Sequence, residues 1–401
     1  MSKIILKKGR EDSLRRFHPW VFSGAIAQIV GNPAEGDVVS VYASDGSFLA
    51  SGHYQIGSIA VRVLSFETPS IGADFWKSML SKALDVRKAV GLAGNGIAGP
   101  LTNCYRLVHG EGDNLPGLII DYYDGVCVMQ AHSAGMFRAK KQIADALKEI
   151  YGDSLLAVYD KSSGTAPFKA GLDLIDGYVY RKEGFVQDER QVSENGNRFI
   201  VNWTEGQKTG FFLDQRENRA LVGKCSKGRN VLNLFCYTGG FSVYALASGA
   251  RHVDSVDSSA KAIALASRNI GAGGYDEELH KEYCEDAIDF LRNSPEGKYD
   301  LMIVDPPAFA KHRGVLKNAL RAYQRLNAAA ISKVAPGGIV FTFSCSQVVD
   351  KEAFALAVFS AAAQTGRKVR ILDRLNQPAD HSVNIYHPEG EYLKGLVLYV
   401  D

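Results

Sequence analysis

The stretch Asn230-Val-Leu-Asn-Leu-Phe-Cys-Tyr-Thr-Gly-Gly-Phe-Ser-Val-Tyr-Ala-Leu-Ala247 passes from an apolar run through a glycine pair into a second apolar segment. An apolar run that stops at a glycine turn is typical of a strand buried on both faces of a sheet. The segment after the glycines predicts a helix, which leaves its first backbone amides free. Strand, loop and helix in this order predict one βα unit of a parallel sheet.

The same rhythm continues toward the carboxyl end of the chain. Further apolar runs end at Asp257, Asp305 and Ser344, and a helical pattern follows each of them. Repeated βα units predict an α/β fold, a doubly wound, mostly parallel Rossmann-like sheet with helices on both faces. Ligands of such sheets bind at the carboxyl ends of the strands.

The preceding sequence divides into two smaller parts. Residues 1–71 read as short strands, with a hairpin signal at Asp45-Gly46, and predict a small β-rich module. Residues 72–190 alternate helical and strand patterns and predict an α+β middle domain. Residues 191–401 then form the sheet domain, entered through a hairpin at Asn195-Gly196.

Composition excludes several classes of protein. The 401 residues carry 46 basic and 44 acidic side chains, a net charge of +2, which excludes a strongly basic nucleic-acid coat but permits a local basic patch. The six cysteines form no CxxC pair and have no zinc-like spacing, so we expect reduced thiols, no metal and a cytoplasmic location. No apolar run reaches the roughly 18 residues of a membrane span.

The ligand of the sheet is predicted from its strand ends. The loop after the first strand has one Gly-Gly pair rather than GxGxxG, which disfavours a dinucleotide. Asp257 lies about 20 residues further on, where a carboxylate can accept the hydroxyls of a ribose, and Asp286 precedes the next helix, where it can contact an adenine amino group. Two acids and a loop poorly suited to phosphate favour S-adenosylmethionine; the alternative for Asp257 is a helix cap.

Two prolines follow the strand that ends at Asp305. Proline fixes the backbone and removes a donor, so Pro306 and Pro307 should hold the Asp305 carboxylate rigid beside a flat, amino-bearing base. The alternative is a rigid turn without a ligand.

Together these motifs carry a family resemblance. The runs "VLNLFCYTGGFSVYAL", "DPPAFAKHR", "GGIVFTFSCS" and "ADHSVNIYHPEGEYLKG", with "GQKTGFFLDQREN" before the sheet, resemble the bacterial ribosomal RNA large-subunit methyltransferase I family over essentially the whole chain. "FHPWVFSGAI" resembles the RNA-binding PUA domain of that family. The resemblance implies methylation of ring carbon 5 of a cytosine in the large-subunit (23S) rRNA, with S-adenosylmethionine as the methyl donor.

The resemblance also implies site residues. The predicted cofactor contacts come from the strand ends and the preceding motif: Asn233, Phe235, Tyr237, Thr238, Gly239, Asp257, Ser258, Asp286, Asp305, Phe212 and Asp214. The predicted RNA contacts come from the fourth-strand motif, the motif before the sheet and the basic amino terminus: Pro306, Pro307, Phe309, Lys311, Lys208, Arg216, Arg15, Arg16, His18 and Trp20. Aromatic residues of an isolated module are more often core than base-stacking surface.

Cys345 has a chemical explanation in this setting. A thiolate that adds to carbon 6 of a pyrimidine makes carbon 5 nucleophilic, and Cys345 and Asp305 should face one base from adjacent strand ends. The structural alternative is a small buried hydrophobe, which suits Cys127 and Cys236. Asp305 would bind the amino edge of cytosine or hold a proton on its ring nitrogen. The base that removes the carbon 5 proton is His381, beside Asp380, or a water, because Pro307 stands where two-cysteine relatives carry the second thiol.

Other functions remain open at this point. An acid-Pro-Pro turn also suits methylation of an exocyclic amine, a uridine carbon-5 enzyme shares the thiol chemistry, and a non-catalytic RNA-binding assembly factor could keep the fold. The oligomeric state is open, with a homodimer as one option.

Overall fold

The computed structural model of the chain describes residues 2–68, 70–94, 101–167, 170–310 and 312–401. These residues form two compact units, each assembled from separate segments of the chain. The first unit comprises residues 1–192, 201–213 and 379–390, and the second comprises 193–200, 214–378 and 391–401.

The first unit begins with a six-stranded sheet. Its strands are β1 (Lys3–Leu6), β2 (Trp20–Phe22), β3 (Ile26–Val30), β4 (Val38–Tyr42), β5 (Phe48–Tyr54) and β6 (Ile59–Ser65), in the order β2-β6-β5-β4-β1-β3. A short helix, α1 (Asp12–Arg15), lies between β1 and β2. Asp45 and Gly46 lie in the turn between β4 and β5, and Gly46 has a φ of 84°, as the hairpin signal predicts.

The first unit also holds a five-stranded sheet with helices packed on it. Its strands are β7 (Cys104–His109), β8 (Leu118–Tyr123), β9 (Val126–Ala131), β10 (Ala157–Asp160) and β11 (Gly177–Arg181), in the order β11-β10-β9-β8-β7. The helices are α2 (Ala73–Ala89), α3 (Ala134–Arg138) and α4 (Lys140–Tyr151). The α4 face with Ile143 and Leu147 is fully buried in the same hydrophobic core as Trp76 of α2.

The predicted hairpin at Asn195-Gly196 joins β12 (Glu189–Glu194) to β13 (Asn197–Asn202).

The second unit is built on a seven-stranded sheet. Its strands are β14 (Asn230–Leu234), β15 (His252–Asp257), β16 (His280–Cys284), β17 (Leu301–Val304), β18 (Gly338–Ser344), β19 (Val369–Asn376) and β20 (Lys394–Val400). Its helices are α5 (Arg216–Ser226), α6 (Gly240–Ala247), α7 (Ala260–Gly273), α8 (Ala287–Asn293), α9 (Leu316–Lys333) and α10 (Lys351–Thr365). The strand order is β16-β15-β14-β17-β18-β20-β19.

Strand direction in this sheet confirms the predicted α/β fold. The strands β14 to β18 pair in parallel, whereas β20 pairs antiparallel with β18 and with the edge strand β19. The strand order reverses between β14 and β17, where a doubly wound sheet opens a crevice at the carboxyl ends of its strands. No helix in the described part of the chain is both long and apolar enough to cross a membrane.

Candidate functional site

The loop that follows β14 has an unusual backbone. Phe235, Tyr237 and Gly239 all have positive φ angles, of 58°, 47° and 73°. Bulky side chains rarely adopt this conformation, and such strain clusters at ligand sites. The loop therefore has a fixed backbone conformation at the crevice of the sheet.

The glycine pair in this loop is required by packing within the unit. A Cβ on Gly239 would lie 3.1 Å from the Cβ of Ala266, and one on Gly240 would lie 3.0 Å from Cδ of Arg219. The glycines thus let α6 approach its neighbours closely, and this packing accounts for them without a ligand.

Asp257 connects two of the loops at the crevice. One carboxylate oxygen accepts a hydrogen bond from the Tyr237 backbone N–H at 3.0 Å, and the other accepts one from Ser259 N–H at 2.9 Å. The Ser259 side chain caps α7 by accepting from Ala262 N–H. Each Asp257 oxygen retains a lone pair, so the carboxylate can still bind a pair of hydroxyls.

Other predicted cofactor residues near this loop differ in how far their side chains are buried. Asp286 is exposed and caps α8, accepting from Ile288 and Asp289 N–H groups, and Ser258 is also exposed. Thr238 is buried, and its carbonyl accepts a hydrogen bond from Asn269. Asn233 is fully buried and donates to Ser242, so it supports the loop from within the core.

Asp305 directly follows β17 and is held by an amide. Gln215 Nε2, just before α5, donates to Asp305 Oδ2 at 2.9 Å, and Asn218 Nδ2 donates to Gln215 Oε1 at 2.6 Å. Burial, and next the charge of Asp214, raise the pKa of Asp305 to about 7. This carboxyl group can take up or release a proton near neutral pH.

Asp214 is a second acid in this region. Its Oδ2 accepts a hydrogen bond from Tyr392 at 2.7 Å, whereas its Oδ1 is buried and has no hydrogen-bond partner among the described residues. Buried polar atoms without a partner are costly, so this oxygen is suited to a ligand donor.

Cys345 follows β18, next to β17 in the sheet. Its neighbours Ser344 and Ser346 are buried, and both side chains hydrogen-bond the Tyr323 hydroxyl, at 2.9 and 3.0 Å. The two hydroxyls beside the thiol therefore fix the backbone of the loop on α9. The half-buried Cys345 therefore lies at the carboxyl end of β18, at the same edge of the sheet where Asp305 follows the parallel strand β17.

Charges around Cys345 shift the pKa of its thiol in opposite directions. Burial, then the charges of Asp305 and Asp214, raise the pKa of the Cys345 thiol to about 12, whereas Lys394 lowers it. The buried Lys394 ammonium donates to the carbonyls of Ser346 and Val349 at 2.7 and 2.6 Å. The thiol is thus protonated at rest, and an adjacent base must activate it.

The other residues of the fourth-strand motif follow Asp305 in the chain. Pro306 is buried and Pro307 is exposed. Phe309 is half-buried, with its ring centroid 4.8 Å from that of Tyr323. The predicted RNA contact Lys311 lies outside the described residues.

The motif before the sheet is divided between the two units. Lys208, exposed and with a φ of 55°, and the half-buried Phe212 belong to the first unit. Arg216 belongs to the second, where it is fully buried with Nε 3.6 Å from a Glu194 carboxylate oxygen. Arg216 therefore offers no surface to RNA in this structure, because its side chain is fully buried.

The basic amino-terminal segment presents only some of its predicted RNA contacts. Arg15 and Arg16 are exposed and His18 is half-buried. The Trp20 indole N–H donates to Glu111 at 2.9 Å, and its ring lies against Arg62 and His387. Trp20 is thus part of the framework of the first unit, as expected for an aromatic residue with covered faces.

His381, the predicted base, is buried in the first unit. Its Nδ1 lies 3.1 Å from Asp380 Oδ1, and its ring centroid is 5.1 Å from that of His109. The Asp380 Oδ2 accepts from Arg106 N–H, and the Asp380 carbonyl accepts from Arg87. These contacts give the pair a structural role within the first unit.

Sequence reasoning missed three residues next to the predicted catalytic pair: Gln215, Tyr392 and Lys394. Gln215 adjoins Asp214 in sequence, and Tyr392 and Lys394 lie in the quoted "GEYLKG" run, but hydrogen bonds across 45 or more residues leave no local signal. No group of three or more His, Cys, Asp or Glu residues within the described ranges could hold a metal ion.

Comparison with known proteins adds independent evidence. A PUA-like domain model matches residues 4–66, and an S-adenosylmethionine-dependent methyltransferase model matches residues 179–388. Ribosomal RNA large subunit methyltransferase I of Aeromonas hydrophila subsp. hydrophila is 39% identical over 402 residues, which cover 99% of each chain. The protein of that name from Photobacterium profundum is 40% identical over 406 residues, which cover 100% of this chain and 99% of the relative.

The chain belongs to the ribosomal RNA large subunit methyltransferase I family. Solved structures agree on the fold: SMU.776 complexed with SAH has a TM-score of 0.83 at 24% identity, and a second structure from Streptococcus mutans has a TM-score of 0.82 at 24% identity. Each comparison covers the whole of both chains.

Membership of this family makes S-adenosylmethionine the methyl donor, and the residues at the crevice fit it. The strained loop around Tyr237 presents backbone groups, Asp257 has lone pairs suited to ribose hydroxyls, and the unpartnered Asp214 oxygen can accept from a cationic amine. The absence of GxGxxG agrees with a ligand that carries no phosphate.

Proposed function

We propose that this family member methylates ring carbon 5 of a cytosine in large-subunit rRNA through a transient Cys345 adduct. The observation that carries the proposal is the placement of a thiol and an acid with a pKa of about 7 at adjacent strand ends, where the acid interacts electrostatically with the thiol. Methylation of an amine requires no thiol there.

The first step forms the sulfur–carbon bond. The Asp305 carboxylate takes the Cys345 proton, and the sulfur lone pair bonds to carbon 6 of the base. The ring electrons move from the carbon 5–carbon 6 bond to the carbon 4–carbon 5 bond, and from the carbon 4–nitrogen 3 bond onto nitrogen 3. Asp305 then delivers its proton to nitrogen 3, so one group serves both transfers.

When bound, S-adenosylmethionine would supply the electrophilic methyl group for carbon 5. The proposed cofactor contacts of the chain hold and orient this donor beside Asp305 and Cys345. Loss of the carbon 5 proton to a base then restores the ring double bond, expels the Cys345 thiolate and releases the nitrogen 3 proton.

The two amino-terminal domains have a proposed role in binding RNA. The PUA-like module, proposed as residues 1–71, and the middle domain, proposed as 72–190, bind the RNA backbone, and the target base leaves its stack to reach the crevice. Residues 191–401 form the proposed catalytic domain. The proposed location is the cytoplasm.

A fluorinated substrate tests the covalent step. RNA that carries 5-fluorocytidine has no carbon 5 proton to lose, so the adduct should persist with the wild-type chain and migrate as a protein–RNA species on a denaturing gel. Cys345→Ala should abolish this species, and Cys284→Ala, which removes an exposed thiol of the same unit, should retain it. An adduct that survives Cys345→Ala would refute the assignment of the nucleophile.

Nucleoside mass spectrometry of rRNA tests the reaction and the substrate. Cells that lack the gene should lose 5-methylcytidine at one site of the large-subunit rRNA. Loss of 5-methyluridine or of an amine-methylated base would identify one of the other methyltransferases. An unchanged profile, together with failure to bind S-adenosylmethionine, would favour the assembly factor.

The methylation of an amine is favoured by one observation, the raised pKa of the Cys345 thiol, which keeps sulfur protonated at rest. Activity of purified Cys345→Ala decides between the two reactions, because an amine methyltransferase would keep its activity without the thiol.

A further inference from the structure

A group of partly exposed aromatic residues lies on the first unit, apart from the residues assigned to catalysis. Phe17 is 48% exposed and Tyr386 is 50% exposed, and their ring centroids are 5.4 Å apart with planes tilted by 49°. We call this pair the aromatic platform. Folding normally buries such rings, so two adjacent half-exposed rings indicate a contact surface.

The backbone at Phe17 is strained to present its ring. Its φ of 62° lies in the left-handed region, directly after α1, where Gly or Asn usually ends a helix. Hydrogen bonds from Phe17 N–H to the Leu14 carbonyl and from His18 N–H to the Ser13 carbonyl close the turn. The Phe17 ring also packs edge-on against Phe66, with centroids 5.3 Å apart, but half of the ring faces water. A bulky, half-exposed residue on a strained backbone points to a role in binding.

The segment that carries Tyr386 is held rigidly. Asn384 Nδ2 donates to the Glu111 carbonyl, and Asn384 Oδ1 accepts from the Tyr386 N–H at 2.9 Å. His387 packs its ring on Trp20, with centroids 4.2 Å apart. The platform is therefore pre-organised, which reduces the entropy cost of binding a ligand.

Charges beside the platform favour an anionic ligand. Arg15 and Arg16 are exposed immediately before Phe17, and Lys7, Lys8 and Arg10 are exposed in the same segment. The acidic groups nearby are Asp12 and Glu11 on or beside α1, Asp45, whose charge acts on Arg15, Glu67, which follows the Phe66 ring that packs on Phe17, and Glu389, which lies 3.7 Å from His387. Basic and acidic groups are similar in number, but Arg15 and Arg16 directly precede Phe17, and aromatic faces flanked by arginines are typical of surfaces that bind single-stranded nucleic acid.

We propose that the aromatic platform stacks one or two unpaired nucleotides of the substrate RNA, while Arg15 and Arg16 contact the adjoining phosphates. Every base has a π-face, so this site binds single-stranded RNA with little sequence preference. The proposal rests on the proposed function for the identity of the RNA, and it adds a stacking site outside the catalytic crevice.

Binding of a fluorescein-labelled single-stranded RNA of 12 nucleotides to the full chain tests the platform. Phe17→Ala and Tyr386→Ala should each weaken the affinity by about tenfold or more, since stacking contributes substantially per base. Phe17→Trp and Tyr386→Phe should retain it. Phe359→Ala, which removes a ring that is 67% exposed on α10, is the matched control and should leave binding unchanged.

Phe17→Asn separates folding from binding. Asparagine tolerates the left-handed backbone, which offsets the lost ring contact with Phe66, so this variant should unfold close to the wild-type temperature yet bind the RNA about tenfold or more weakly. In the double variant Arg15→Gln, Arg16→Gln, the slope of log affinity against log salt should become shallower by about 1.4, as two phosphate contacts on a single strand predict.

The outcomes distinguish this proposal from the proposed function. If wild type binds the RNA and methylates rRNA, but Phe17→Asn and Tyr386→Ala bind as tightly as wild type, only the platform is refuted. If wild type neither binds the RNA nor methylates rRNA, the proposed function is refuted and the aromatic pair is a surface for another class of partner.

Discussion

Replacement of Asp305 by Asn should stabilise the second unit at neutral pH while it abolishes methylation. Burial raises the pKa of Asp305 from an ordinary 3.8 to about 7. Between these values the unfolded carboxyl group is ionised, whereas the folded one keeps its proton. Because the folded state binds more protons in this window, stability falls as the pH rises from about 4 to about 7, and the loss is constant above that.

The size of this effect follows from the shift in pKa. About three pKa units correspond to about 4 kcal/mol at pH 8, an upper limit because local relaxation and water can solvate the anion. An amide at position 305 cannot ionise, but its oxygen can still accept the hydrogen bond from Gln215. The variant should therefore unfold roughly 10 °C above wild type at pH 8, and the difference should vanish near pH 4.

Differential scanning calorimetry of both chains across pH 4.5 to 8 measures this difference. Asp289→Asn, which removes an exposed carboxylate paired with Arg292, is the control and should change the melting temperature little at any pH. If the gap between Asp305→Asn and wild type does not depend on pH, the Asp305 carboxyl group is not titrating in this window and the argument for its role as proton carrier fails.

Three further predictions concern the surroundings of this acid. Asp305→Asn removes one of the charges that raise the pKa of Cys345, so iodoacetamide should alkylate Cys345 up to about tenfold faster at pH 8. Peptide mass spectrometry follows the alkylation. An unchanged rate would show that the two groups do not interact. Lys394→Met removes the cation that lowers the same pKa, so alkylation should slow, while Lys394→Arg should keep a near-normal rate if charge rather than shape is responsible. Arg219→Met removes the 2.7 Å partner of the buried Glu194, which keeps Arg216 at 3.6 Å, so the variant should lose about 2–3 kcal/mol in urea unfolding. A loss below about 1 kcal/mol would contradict the view that this pair is a desolvated structural element.

The sheet could be predicted from the sequence because its parallel strands are short, continuous apolar runs that are separated by glycine and acidic turns. Asp305 and Cys345 each directly follow such a strand, so their adjacency required only that the two strands be neighbours. The strands β19 and β20 were not predicted as antiparallel additions, because the exposed residues of β19 interrupt the apolar pattern.

Polar side chains deep in the fold were harder to predict. Arg216 was predicted to contact RNA from its place in the motif before the sheet, but its side chain is fully buried in the second unit, with Nε 3.6 Å from a Glu194 carboxylate oxygen. Gln215 was missed because its contact with Asp305 spans 90 residues. Phe17 and Tyr386 were missed because their proximity depends on the folding of residues 379–390 back onto the first unit.

The return of residues 379–390 to the first unit limits how the protein can be divided. Arg87 is fully buried, and it donates both to Asp113 and to the carbonyl of Asp380, almost 300 positions later in the chain. A fragment cut anywhere between these residues deprives a desolvated guanidinium of an acceptor. Neither half should survive proteolytic separation as an independent body, and during synthesis the amino-terminal part cannot complete its core until Asp380 has emerged from the ribosome.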